Sequence, residues 1–301
     1  MAAAALTPDP RSRWEGRSAD DLRRHLGLPH VEVWPQIGST NDRARALLEA
    51  DAGVLSMVLA DEQTEGRGRA NRRWHSPPGT GLWVSFILRP QSLQHRSLLP
   101  LFLGIGLARA IERRAGPWAE QMPRIGLKWP NDVWLGGGKV AGILCEATPR
   151  GVVAGIGVNV AAVPDEMMPD RGAAGDGAAG QRAAGEGQVD ERAVGAALAE
   201  APGSDWSRLA LLEGLVDELR ILAAEEPDRL SGALADEWRQ RDVLRGRRVR
   251  VGSDEGRVEG VDDQGHLLLA TSSGLRRVAA GHVHTLHHTL HGQERFDAAG
   301  R

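Results

Sequence analysis

The chain has 301 residues, with 37 Lys plus Arg against 40 Asp plus Glu and a formal net charge of −3. That near balance excludes a surface given over to nucleic acid or anionic lipid and leaves room for a local basic site that takes a small anion. The single cysteine, Cys145, excludes an internal disulfide framework and a multi-cysteine zinc site, fits a reducing cytosol, and reads as a core residue, not a nucleophile.

The opening "MAAAALTPDPRSRW" has no cationic head followed by a long apolar run, and the longest apolar stretches fall short of the roughly 20 residues a membrane span needs. A cytoplasmic protein is expected, with residues 1–30 as an N-terminal extension. "GSTNDRARALLEADA" supplies Ser39, Thr40 and Asn41 as cap candidates ahead of Ala44, Leu47 and Leu48, whose spacing predicts a helix over 41–50. "VLSMVLADEQ" and "GLWVSFILRP" are short apolar runs that read as buried strands, so the arginine-rich "EGRGRANRRWHSPP" between them is a loop on a rigid frame. Residues 98–115 read as an amphipathic helix ending at Gly116-Pro117. A strand pair follows in "IGLKWPNDVWLGGGKVAGILCEA", turning at Gly136 to Gly138, and "GVVAGIGVNV" is the next strand of the same sheet. Residues 164–202, rich in Ala, Gly, Asp and Glu, have too few large apolar side chains to offset ordering entropy and are expected to be a flexible insertion. Helices over 205–224 and 227–241 complete a first domain, 31–240. Short apolar runs punctuated by Gly and Asp predict a small β-barrel at 243–288, and 289–301 is a tail.

Three stretches carry chemistry. In "EGRGRANRRW", glycine permits close backbone approach, the forks of Arg67, Arg69 and Arg72 match phosphate or carboxylate oxygens, and Trp74 offers a face to a flat base; the alternative is a solvated basic loop. In "KWPNDVWLGGGKVAGILCE" the glycine turn brings Lys139 back beside Lys128, Asn131 and Asp132. A lysine there can neutralise charge developing between a carboxylate and an α-phosphate, and an aspartate can help hold Mg²⁺; alternatively Asn131 and Asp132 only turn the chain after Pro130. "GSTN" is either an ordinary helix cap or a polar mouth for a compact ligand head.

Taken together, "GSTN", "EQTEGRGRANRRWHSPPGTGLWVS", "KWPNDVWLGGGKVAGILCE" and "GIGVNV" resemble the biotin protein ligases in order and spacing, strongly over residues 33–162 and weakly over the terminal barrel. The resemblance implies an α+β fold: a mixed β-sheet flanked by helices, like that of class II aminoacyl-tRNA synthetases, followed by an SH3-like β-barrel. It implies ATP, Mg²⁺ and biotin as reactants and a biotin carboxyl carrier domain as partner. Biotin's carboxylate attacks the α-phosphate to give biotinyl-5′-AMP and pyrophosphate, and a carrier lysine then takes the biotinyl group. Carried over by position, Ser39, Thr40, Asn41, Gln63, Arg67, Gly68, Arg69, Lys139 and Gly142 fall to biotin, with Thr40 and Gln63 at its ureido ring. Arg67, Arg69, Arg72, Trp74, Asn131 and Asn159 fall to ATP or the adenylate, Lys139, Arg69 and Asp132 are the catalytic set, and Asp132 is the Mg²⁺ ligand. Asn159 is otherwise a strand-end cap.

Two departures stand out: Ala70-Asn71 occupies the place where the family reads glycine, and fewer than about forty residues precede "GSTN", too few for the winged helix-turn-helix of the repressor members. A monofunctional enzyme with neither DNA nor membrane as partner is expected, and a homodimer is left open. The arginine loop is expected to be mobile without ligand and to order over it. Competing readings are a lipoate or octanoate ligase and a non-catalytic nucleotide- or RNA-binding module. The clustered His282, His284, His287 and His288 are either an adventitious metal site or a final strand running into a tail.

Overall fold

The computed structural model describes residues 8–161, 195–201 and 206–286. A seven-stranded mixed sheet is its centre. Strands β1 (Val31–Ile37), β2 (Met57–Gln63), β3 (Gly81–Leu88), β4 (Ile125–Lys128), β5 (Asp132–Leu135), β6 (Gly138–Thr148) and β7 (Gly151–Asn159) lie in the order β1-β2-β3-β7-β6-β5-β4. The β1–β2 pair is parallel, because helix α2 (Thr40–Glu49) carries the chain across between them; every other pairing is antiparallel. All eight residues of β3 are buried, as a central strand covered on both faces requires. On one face α2 packs Ala44 and Leu48 against Val58, Ala60, Ile87 and Val153. On the other, α3 (Leu93–Ala115) and α4 (Arg208–Glu225) close the main core, and α5 (Gly232–Arg241) follows.

Three sequence expectations change. The predicted strand pair at 125–147 is three strands, because "WPN" is itself a turn, with a cis Trp129–Pro130 peptide, between β4 and β5. Residues 14–28 are not a detached extension: helix α1 (Ala19–Leu26) starts with a reciprocal Ser18–Asp21 capping box and sends Leu22 and Leu26, with Trp14, into the main core. Of the predicted insertion, 164–194 and 202 lie outside the described residues, but 195–201 belongs to the scaffold. Ala196 N–H donates to Lys139 C=O at 2.9 Å, Ala199 N–H to Val160 C=O at 2.8 Å, and Leu198 is fully buried. Its apolar residues Ala196, Ala197, Leu198 and Ala201 are all buried.

The C-terminal unit is a five-stranded antiparallel sheet of β8 (Arg248–Val251), β9 (Asp254–Val261), β10 (Leu267–Thr271), β11 (Gly274–Val278) and β12 (Val283–Thr285), ordered β11-β10-β9-β8-β12. It is fixed to the outer edge of the first sheet. Val243 N–H donates to Leu127 C=O at 3.1 Å, and the buried indole of Trp129 donates to Gly265 C=O at 2.9 Å. Gly265 is required at that junction, since its φ is +84° and a Cβ there would stand 2.8 Å from Leu98. This docking places the start of β12 over the β4–β5 turn.

Candidate active site

A cavity of about 380 Å³ opens where the first turn of α2, the arginine loop, the β4–β5 turn, the middle of β6 and β7, and residues 281–284 converge. Its floor is glycine. Gly142 and Gly157 are register partners on β6 and β7, and Trp74 lies over both: a Cβ would come 3.1 Å from its ring at Gly142 and 2.5 Å from Nε1 at Gly157. Trp74 is buried, meets Trp83 edge-on with centroids 6.4 Å apart, and has the Lys139 ammonium 5.2 Å from its ring centroid.

At one end the lining is neutral and polar. The Gln63 carbonyl oxygen accepts from the Thr40 backbone N–H at 2.9 Å and the Thr40 hydroxyl at 3.0 Å, so the helix is capped by a side chain from β2 and not by Ser39. The Gln63 amide nitrogen donates to Ser76 Oγ at 2.8 Å. Ser85 Oγ lies 2.7 Å from Thr40 Oγ1 and 2.6 Å from Asn41 Oδ1, while Asn41 Nδ2 donates to Glu146 at 2.7 Å. The contacts Gln63–Thr40, Thr40–Ser85 and Ser85–Asn41 share only two hydroxyl protons, so an acceptor oxygen is left for a ligand N–H to fill. Gly155 makes this cluster fit, because a Cβ there would stand 2.2 Å from Asn41 Oδ1.

The other end is cationic. Lys139 Nζ bonds Asp132 Oδ1 at 2.7 Å, Lys128 sits 4.9 Å from the Trp134 ring centroid, and Arg69 donates to Asn131 Oδ1 at 3.4 Å. Burial holds the Arg69 pKa below its ordinary value, against the pull of Asp132. Asn131 is also a brace: its Nδ2 donates to Ile143 C=O at 2.8 Å and its own C=O accepts from Ile143 N–H at 3.0 Å. Among the described lining residues Asp132 is the only carboxylate.

Ser39, Thr40, Asn41, Gln63, Arg67, Gly68, Arg69, Arg72, Trp74, Asn131, Asp132, Lys139 and Gly142 therefore meet around one cavity. Asn159 does not. It is fully buried, its Nδ2 donates to Ala196 C=O at 3.2 Å, and it serves the strand end. Arg67 reaches the wall but its fork closes on Asp42, at 2.6 and 2.5 Å. The arginine loop is internally bonded through Gly68 N–H to Arg72 C=O and Trp74 N–H to Gly66 C=O, with Ala70 at its tip in the left-handed region at φ +53°.

Sequence reasoning missed Gly155, Gly157, Ser85 and Asp42, and it singled out His282 only as a metal-site or final-strand candidate, not as part of the cavity wall. The His282 ring stands 4.6 Å from that of His284, and its pKa is pushed down to about 4, first by burial and then by Arg72, His284 and Lys128, against Asp132. That depression combines desolvation of the ring, the larger cause, with the positive charge of Arg72 and Lys128 at the cavity wall. His287 and His288 lie outside the described residues, and among the described residues no three His, Cys, Asp or Glu side chains are grouped to hold a metal. Burial and Glu146 push the Cys145 thiol up to about 12, which keeps it protonated and inert.

The biotin/lipoate A/B protein ligase family model matches residues 33–162, and the biotin protein ligase C-terminal domain model matches 245–284. The biotin--[acetyl-CoA-carboxylase] ligase of Mycobacterium tuberculosis is 34% identical over 263 residues, covering 85% of this chain and 89% of the relative. The bifunctional ligase/repressor BirA of Escherichia coli is 30% identical over 283 residues, covering 88% of this chain and 77% of the relative. A solved Aquifex aeolicus biotin protein ligase in complex with biotin and ATP superposes with a TM-score of 0.61 at 26% identity, covering 85% of this chain and 98% of that one.

Proposed function

The chain belongs to the biotin protein ligase family, and on that premise we propose that its cavity joins biotin to ATP and then delivers the biotinyl group to a lysine of a biotin carboxyl carrier domain. The observation that carries this reading is the polarity of one continuous cavity: a neutral hydrogen-bonding end and a cationic end, joined over the Gly142–Gly157 floor. The Thr40, Gln63 and Ser85 cluster suits a ureido ring, which brings N–H donors and one carbonyl acceptor. Lys139 and Arg69 then stand where the carboxylate meets the α-phosphate. The barrier to that encounter is repulsion between two anions, and fixed cations in a partly buried site lower it without reorganising. Nucleophilic attack by the carboxylate forms the acyl–phosphate bond as the bond to pyrophosphate breaks. Attack by the carrier's neutral amine forms the amide and releases AMP.

Asp132 fits Mg²⁺, which characteristically binds one or two carboxylates together with substrate phosphates. A bound ion would neutralise phosphate charge, with Asp132 the residue that would hold it; Lys139, paired to Asp132 at 2.7 Å, faces the same cavity and is the cation for the reacting oxygens. Trp74 supports the adenine side of the cavity. Among the described residues no helix is long and apolar enough to cross a membrane, and a cytoplasmic location belongs to the same reading.

The test is incubation with biotin, ATP, Mg²⁺ and a carrier domain, followed by intact-mass measurement. A gain of one biotinyl group on a single carrier lysine is expected. Modification by lipoate in preference to biotin, or nucleic-acid binding with no adenylate formed, would overturn the reading.

A further inference from the structure

The two arginines of the "GRGR" segment occupy unlike surroundings. Arg67 places both terminal nitrogens on Asp42, in the first turn of α2, with Glu146 a further 3.8 Å contact. Glu146 is in turn held by Arg45 at 2.7 Å and by Asn41. Among the described residues no carboxylate is bonded to Arg69, which is the more desolvated of the two and feels Asp132 at longer range. The pairing of Arg67 reaches beyond its own side chain. Arg67 and Arg73 are bridge partners, Gly68 N–H is bonded to Arg72, and Trp74 N–H is bonded to Gly66, so the two legs of the loop move together. An anchor on Arg67 is an anchor on the tip that carries Arg69.

We propose that Asp42 is a positioning residue: by holding Arg67 it ties the arginine loop to α2 and so presents Arg69, and not Arg67, to the anionic oxygens of the substrate. The assignment rests on the adenylate-forming reading above for its ligand, but its geometry does not. Asp42 is about half exposed, so its pair with Arg67 is worth only a modest factor and can break and re-form during a catalytic cycle. Arg67 is accordingly a strut whose charge is spent within the protein.

Wild type, Asp42→Asn, Asp42→Arg and the exchanged pair Asp42→Arg/Arg67→Asp are loaded with biotin and Mg²⁺-ATP, freed of excess ligand, and followed for release of biotinyl-adenylate. Release is expected to quicken by up to about fivefold in Asp42→Asn and by more in Asp42→Arg, and to return near the wild-type rate in the exchanged pair, with affinity for ATP alone unchanged throughout. Tighter retention in Asp42→Asn would mean that the released Arg67 binds the ligand, and it overturns the proposal, as does failure of the exchanged pair to recover. A second arm uses no ligand: amide exchange at Gly68, Arg72 and Trp74 should be faster in Asp42→Asn and restored by the exchange of charges. If wild type formed no adenylate the functional reading would fall, and this arm would still decide the role of Asp42, unchanged exchange counting against it.

Discussion

The two ends of the cavity are built on opposite terms. At the neutral end Thr40, Asn41, Gln63, Ser76 and Ser85 are bonded to one another, and the geometry is set by folding. At the cationic end Arg69, Arg72, Lys128 and Lys139 gather around one carboxylate, Asp132, and the neighbouring imidazole of His282 is held neutral first by burial and then by Arg72, His284 and Lys128. A satisfied cluster selects a ligand by shape and by its few open acceptor positions; an under-neutralised one selects by charge and gains most when charge is highest, at the transition state. The neutral end should therefore govern affinity for biotin and the cationic end the rate of its activation.

The largest expected effect follows from removing a cation. Lys139→Ala should lower adenylate formation, read as pyrophosphate release, by about 10²–10³-fold while leaving biotin affinity nearly intact; equal losses in both would erase the distinction between the ends. Next is Gly155→Ala, whose Cβ would push Asn41 aside. It should cost about 1–3 kcal/mol of stability and weaken biotin far more than ATP, as calorimetry with each ligand would tell.

A smaller effect concerns pH. Because the His282 pKa is depressed in the folded chain, the unfolded chain takes up a proton that the folded one refuses as pH falls from about 6.5 toward about 4. Stability should decline across that window, and His282→Gln should flatten the decline in thermal melts. An unchanged slope would show that His282 is not the group whose protonation the folded chain resists. The smallest effect belongs to the loop tip. Ala70→Gly relieves a left-handed alanine at about 1–2 kcal/mol but adds unfolded-state entropy at about 0.4–1 kcal/mol, so the melting temperature should rise slightly.

Much of the cationic end was legible because it is written in contiguous motifs. "GRGR" and "KWPND" carry their own turns, and the strands on either side bring Arg69, Asn131, Asp132 and Lys139 together by local chain geometry. The neutral end was half legible: "GSTN" marks a helix start, but nothing in it says that Gln63, 23 residues on, caps that helix, or that Ser85 lies beneath it. Gly155 and Gly157 were invisible for a different reason. A glycine in a strand reads as a weak strand residue until the side chain that presses on it is known, and here those side chains come from α2 and the arginine loop. Asn159 stayed open in the sequence because an asparagine at a strand end looks the same whether it binds a ligand or closes the strand; here its Nδ2 is bonded to Ala196 C=O and it does not line the cavity. Composition misled at 195–201, where alanines read as filler but Ala196, Ala197 and Ala201 are buried and Ala196 is bonded to the backbone of Lys139.

The hydrogen bond from Trp129 to Gly265 has an engineering consequence. Residues 243–286 look like a detachable cassette in sequence, yet a chain cut before Val243 would take from the Trp129 indole its acceptor, at the base of the very turn that carries Asn131 and Asp132. The C-terminal sheet is thus a brace for the chemistry of the first domain, and grafting it from another member of the family would have to preserve that single carbonyl before any surface residue mattered.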